Sequence, residues 1–202
     1  MNSVDQRDVE AVRAQLGREP RGLRAVAHRC PCGNPDVVET APRLRSEQNP
    51  AGEPFPTLFY LTCPKAASAI GTLEGDGVMA EMTARLGRDP ELAAGYRAAH
   101  EDYLARRDAI EVLEGFPSAG GMPDRVKCLH VLVGHALAAG PGVNPLGDEA
   151  LALLPEWWRT GPCVAVAAAE PVEGEAAIGP DAQSSATPGS QSGTAVNAEA
   201  NR

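Results

Sequence analysis

Cysteine and histidine are the residues of this chain whose chemistry could define a function. The 202-residue sequence contains five cysteines and four histidines. Thiolate sulfur and imidazole nitrogen are ligands that zinc prefers, and thiolates also hold iron–sulfur clusters. A cysteine beside a histidine can instead act as a nucleophile next to its base. Which of these functions applies depends on which of the residues folding brings together.

Three of the cysteines lie in predicted turns or at a predicted strand end, where side chains can converge on one point. Cys30 and Cys32 lie in a Cys-Pro-Cys-Gly turn, and Cys63 follows the strongest predicted strand, residues 57–62. The turn is one residue shorter than the C-P-x-C-G turn of a zinc knuckle. This spacing prevents both sulfurs from turning toward one ion, so we expect only Cys30 of the pair to be a ligand.

The remaining predicted ligands lie on a helix that the sequence predicts from Pro123 to Ala139. On such a helix Cys128 and His135, seven residues apart, lie within about 20° of each other, whereas His130 lies about 200° from Cys128. The predicted metal ligands, for zinc or an iron–sulfur cluster, are therefore Cys30, Cys63, Cys128 and His135. Two alternatives stay open: the thiols are buried and inert, or one of them is reactive.

A glycine pair precedes the predicted start of this helix, and two cations follow it. Backbone N–H groups and the helix dipole favour an anion at such a terminus, and the cations would strengthen it. The candidate ligands of a phosphate or carboxylate are Gly120, Gly121, Arg125 and Lys127. If the site holds such a small molecule, the chain could be an enzyme that acts on it, with Cys128 or His130 as the catalytic group. The alternative to an anion site is plain helix capping with solvated charges.

The elements that must position these residues form an α+β fold. Short runs of strand-favouring residues bounded by Pro, Gly and Asn predict about three antiparallel strands, and helical periodicity predicts four to six helices. Asp89 and Pro90 mark a particularly clear helix start. The predicted strands cover residues 24–28, 37–40 and 57–62; the predicted helices cover residues 3–16, 64–73, 78–86, 90–110, 123–139 and 147–158.

Composition separates a body, residues 1–163, from a tail, residues 164–202. The tail has no aromatic residue and no leucine, and it is acidic and rich in Ala, Gly, Ser and Pro. Such a segment is predicted to be disordered, because it cannot bury enough apolar surface to fold. The net charge of −9 argues against a nucleic-acid partner. The sequence has neither a membrane-spanning apolar run nor an apolar signal segment, which predicts a cytoplasmic protein.

Several unusual strings resemble an actinobacterial family catalogued as domain of unknown function 501. The matching strings are RCP at 29–31, PFPTLFYLTCP at 54–64, GGMPDRVKCLH at 120–130 and NPLG at 144–147. The resemblance covers about residues 10–155. It implies family cysteines at Cys30, Cys63 and Cys128 and family histidines at His130 and His135, while Cys32 and Cys163 are particular to this chain.

The resemblance carries no established reaction, so it leaves open whether the chain is an enzyme. Genes of the family often lie near those for enolase, a septum-formation initiator and an exopolyphosphatase. This neighbourhood suggests a third hypothesis, a partner-binding module linked to cell division, for which an exposed Trp157–Trp158 pair would supply the contact surface.

Overall fold

The computed structural model describes residues 4–165, which lie within one compact unit. The element order confirms the α+β prediction, with a small antiparallel sheet and six helices in this part of the chain. The predicted tail lies outside the described residues, apart from Val164 and Ala165. Val164 belongs to the folded body, because its carbonyl accepts a hydrogen bond of 3.0 Å from the Asn34 side chain.

Three strands form the main sheet, in the order β1–β2–β5. They are β1 (Leu23–Arg29), β2 (Pro35–Thr40) and β5 (Phe59–Leu61), and both pairings are antiparallel. Every residue of the central strand β2 is buried, because elements cover both faces of the sheet. The loop predicted between β2 and β5 contains a further two-stranded hairpin, β3 (Arg43–Leu44) with β4 (Glu53–Pro54).

Six helices in the described part of the chain surround the sheet, and three of them begin after a side-chain cap. α1 (Gln6–Leu16) begins after Asp5, which forms a capping box with Asp8, and α4 (Pro90–Asp108) begins after Asp89, whose carboxylate accepts the Leu92 N–H. The other helices are α2 (Pro64–Gly75), α3 (Val78–Leu86), α5 (Leu129–Ala139) and α6 (Pro145–Leu153).

Helix α5 is the centre of the body. It packs against β5 and against α6, and its Leu129, Leu132 and Val133 side chains are buried. The aromatic side chains Phe59, Tyr96 and Tyr103 complete this core. No helix among residues 4–165 is both long enough and apolar enough to cross a bilayer.

The prediction that a helix runs from Pro123 to Ala139 is wrong at its start. Residues 123–128 form a turn followed by extended chain, and α5 begins only at Leu129. The turn is closed by hydrogen bonds from the Arg125 and Lys127 N–H groups to the carbonyls of Gly121 and Gly120. This difference of six residues changes which side chains can meet.

Candidate functional site

Cys128 precedes α5 as its N-cap residue, with an extended backbone at φ −154° and ψ 113°. Since Cys128 lies outside the helix, the helical spacing that paired it with His135 and excluded His130 does not apply. The side chains of Cys128 and His130 instead lie on the same side of the helix start. The first N–H of the helix, that of Leu129, donates to the Glu74 carboxylate at 2.7 Å.

Glu74, Cys128 and His130 form a compact cluster between the end of α2 and the start of α5. One ligand atom from each residue lies within 4.8 Å of the other two, and all three side chains are half-buried. His130 Nδ1 lies 3.2 Å from Glu74 Oε1. Within residues 4–165 this is the one group of three or more Cys, His, Asp or Glu side chains close enough to share a metal ion.

The charge state of His130 is set by its two neighbours. Hydrogen bonding with the Cys128 side chain raises the pKa of His130 to about 9, burial opposes this, and the Glu74 carboxylate adds to it. The imidazole therefore carries a proton at neutral pH and donates to the carboxylate. A thiol, an imidazole and a carboxylate in contact can bind a metal ion or activate the thiol.

The structure does not bring the four predicted ligands Cys30, Cys63, Cys128 and His135 together. Cys30 is buried in the β1–β2 turn beside Cys32, and burial raises the pKa of its thiol to about 12. Cys63 is buried in front of α2 beside Cys163, and burial raises the pKa of its thiol to about 11. Both thiols stay protonated at neutral pH, in agreement with the alternative of buried, inert cysteines.

His135 lies in the core, where its ring is stacked on Phe59 at 5.9 Å and meets Tyr103 edge-on at 5.2 Å. Its Nε2 lies 2.8 Å from Asp102, and its Nδ1 lies 3.3 Å from the Asn144 amide nitrogen. The Asn144 oxygen already accepts the Gly147 N–H, so the amide nitrogen is the group that faces His135. These contacts satisfy a neutral imidazole that accepts at Nδ1 and donates at Nε2.

The burial of His135 as a neutral imidazole makes the stability of the fold depend on pH. Burial lowers the pKa of His135 although the hydrogen bond with Asp102 opposes it. The unfolded chain therefore binds a proton that the folded chain excludes, and stability falls as the pH drops below about 6.5. From pH 6 to pH 5 we expect urea denaturation to show a loss of stability, which for one excluded proton is at most about 1.4 kcal/mol per pH unit.

The matched measurement for this prediction uses the His135→Gln variant, which cannot gain that proton. We expect its stability to change less over the same interval, and an equal loss in both proteins would contradict the assignment. His130 affects the pH dependence of stability in the opposite direction, because its pKa is raised. The stability that it contributes is lost as the pH rises toward about 9. That contribution is nearly constant below pH 6.

The glycine pair does not form the helix terminus that the anion-site prediction assumed. Gly120 and Gly121 have φ of 60° and 94°, and a Cβ on Gly121 would lie 2.7 Å from the Arg125 carbonyl. The glycines therefore close a tight loop that precedes α5 by eight or more residues. Arg125 and Lys127 are exposed around a surface depression beside them. Anion binding at this depression stays a prediction, and no helix dipole supports it.

Trp157 and Trp158 do not form an exposed pair. Both are half-buried, and their rings meet edge-on with centroids 4.7 Å apart. Most of their apolar surface is therefore used within the chain, which weakens the hypothesis of a tryptophan contact surface for a partner.

Sequence reasoning found Cys128 and named His130 as a catalytic candidate, but it missed Glu74. Glu74 lies 54 positions before Cys128, and nothing in its own neighbourhood distinguishes it from a solvated glutamate near a helix end. The contacts of its carboxylate with the Leu129 N–H and with His130 Nδ1 in the folded chain reveal its position.

The fold and the cluster define a small α+β protein with a Cys–His–Glu site at the junction of α2 and α5. Residues 26–152 match the family described as "Protein of unknown function (DUF501)", and the chain belongs to this family. Neither the curated proteins nor the solved structures contain a significant match to the chain. The matched range includes Glu74, Cys128, His130 and His135.

Proposed function

We propose that this protein binds one Zn²⁺ ion through Glu74, Cys128 and His130. The observation that supports the proposal is the approach of a thiol, an imidazole and a carboxylate to within 4.8 Å of one another, from the end of α2 and the start of α5. Sulfur, nitrogen and oxygen donors in this combination suit zinc. The five free thiols of the described body suit a reducing compartment, so we place the protein in the cytoplasm.

The cluster requires only small movements to hold the ion. Donor atoms around tetrahedral zinc lie roughly 3.5 Å apart. His130 Nδ1 and Glu74 Oε1 are already 3.2 Å apart, so side-chain rotation must bring closer only the donors that are more widely spaced, at up to 4.8 Å. Glu74 Oε1 accepts the Leu129 N–H, which fixes the carboxylate and leaves Oε2 for the ion. Zinc would displace the proton that His130 shares with Glu74.

Zinc fits this site better than an iron–sulfur cluster, which was the other cofactor expected from the cysteines. Iron–sulfur clusters are held mainly by four thiolates, whereas this site supplies one. Three protein ligands leave one position open for water, which is the ligand count of catalytic zinc sites. The proposed chemistry is therefore activation of a zinc-bound water.

Zinc affinity, measured by competition with a chromophoric chelator, tests the proposal. We expect a single site in the full chain, and we expect Cys128→Ser, His130→Ala and Glu74→Gln each to weaken binding by about 100-fold or more. The matched controls Cys32→Ser and His100→Ala alter half-buried residues outside the cluster and leave the affinity unchanged. Absence of binding at micromolar zinc, or binding that survives all three substitutions, would contradict the proposal.

A second function, a thiol nucleophile at Cys128, is favoured by the approach of its thiol to the His130 imidazole. A thiol beside an imidazole is the arrangement of a nucleophile with its base, and Glu74 orients the imidazole as the third member of a triad. The exposed Arg125 and Lys127 near this site would then recognise an anionic substrate. Iodoacetamide distinguishes the two functions: fast alkylation of Cys128 that zinc does not block would favour the nucleophile.

A further inference from the structure

A separate cavity lies on the other side of the sheet, between α1 and the β3–β4 hairpin. Its volume is about 150 Å³. Val12 of α1 and Val38 of β2 line it and are almost completely buried. Its remaining apolar walls include Leu16, Leu23, Phe55 and Tyr60.

The size and walls of this cavity favour a compact apolar group. A volume of about 150 Å³ is enough to hold a group the size of benzene. Phe55 and Tyr60, whose ring centroids are 6.0 Å apart, provide aromatic contacts for a planar group.

The rim of the cavity carries positive charge. Arg18 and Arg21 both line it, and Arg21 is paired with Glu53 at 3.0 Å. The Arg18 guanidinium donates to the Glu19 carbonyl at 3.2 Å and forms no ion pair within the described part of the chain. One guanidinium at the rim is therefore free to bind a carboxylate.

We infer that this cavity is a binding site for a small carboxylate with a benzene-sized apolar group. The apolar group fills the space between α1 and β2, and the carboxylate reaches Arg18 at the rim. The chemistry of the rim and walls selects this occupant over a neutral molecule or a purely ionic one. The cavity contains none of the proposed zinc ligands, so this inference is tested independently of zinc binding.

Benzoate is the probe for this site, titrated into the metal-free full chain and followed by amide chemical shifts. We expect saturable shifts around Val12, Val38 and Tyr60 with a dissociation constant of about 1 mM, given the affinity per atom that small ligands reach. Benzyl alcohol, which has the same ring without the charge, is expected to bind about tenfold more weakly.

Two variants separate the contributions of the rim and the walls. Arg18→Gln is expected to weaken benzoate about tenfold, whereas Arg88→Gln, which alters another exposed arginine bonded only to a carbonyl, leaves binding unchanged. Leu16→Phe fills the cavity from its partly exposed edge and is expected to abolish binding. The inference is overturned by unsaturated shifts, by equal binding of benzoate and benzyl alcohol, or by shifts that follow protein concentration, which would indicate a second copy of the chain.

Discussion

Replacing His135 with alanine is expected to destabilise the protein by roughly 3–5 kcal/mol. The imidazole is completely buried, so its removal leaves a cavity between Phe59 and Tyr103. It also removes one hydrogen-bond partner of Asp102, which keeps its bond to Arg106, and one partner of the Asn144 amide. Urea denaturation at pH 7, with and without the substitution, measures the effect.

His100→Ala is the matched control for this prediction. His100 lies on α4 and makes one hydrogen bond, 2.9 Å from its Nε2 to the Pro117 carbonyl at the surface. We expect its replacement to cost no more than about 1 kcal/mol. Equal losses at the two histidines would show that the buried network contributes no more than a surface contact.

Replacing Gly147 with alanine is expected to destabilise the protein by about 3 kcal/mol. Gly147 lies in α6 where this helix crosses α5, and an added Cβ would overlap the Leu132 carbonyl and lie 2.9 Å from the Ala136 Cβ. Both neighbours belong to α5, so the two helices would have to separate. The unfolding midpoint in urea, with an unchanged slope, reports this loss.

Gly71→Ala tests whether the cost at Gly147 comes from the helix contact and not from the substitution itself. Gly71 lies within α2, and an added Cβ would meet nothing within 4 Å. Alanine is the better helix former, so we expect a gain of about 0.5–1 kcal/mol. Similar effects at both glycines would contradict the close α5–α6 contact.

These two predictions concern the scaffold that positions the candidate site. Helix α5 carries His130 in its first turn, next to Cys128 and Glu74, and His135 one to two turns later in the core. The contacts of His135 with α4 and α6 fix the helix, and the fixed helix places His130 against α2. Variants that loosen α5 are therefore expected to weaken zinc binding as well.

Local sequence signals predicted the elements of this fold well where they were strong. Asp89 and Pro90 start α4 where expected, and the strand-favouring run before Cys63 contains β5. The error at Pro123 arose because proline suits a first helical turn, while Gly120 and Gly121 allow a loop closed by backbone hydrogen bonds. Local sequence preference allowed both a helix and a loop at Pro123. The structure contains the loop, with Met122 and Val126 buried.

The amino-acid sequence by itself determined the α+β class, the family strings and the chemical types available for a site. The tertiary structure alone decided which of them meet: Glu74 with Cys128 and His130, and His135 with Asp102 and Asn144. Contacts between residues far apart in the chain depend on how whole helices pack, and the spacing of single residues does not encode that packing. The thiols of Cys30 and Cys63 lie apart from the cluster for the same reason.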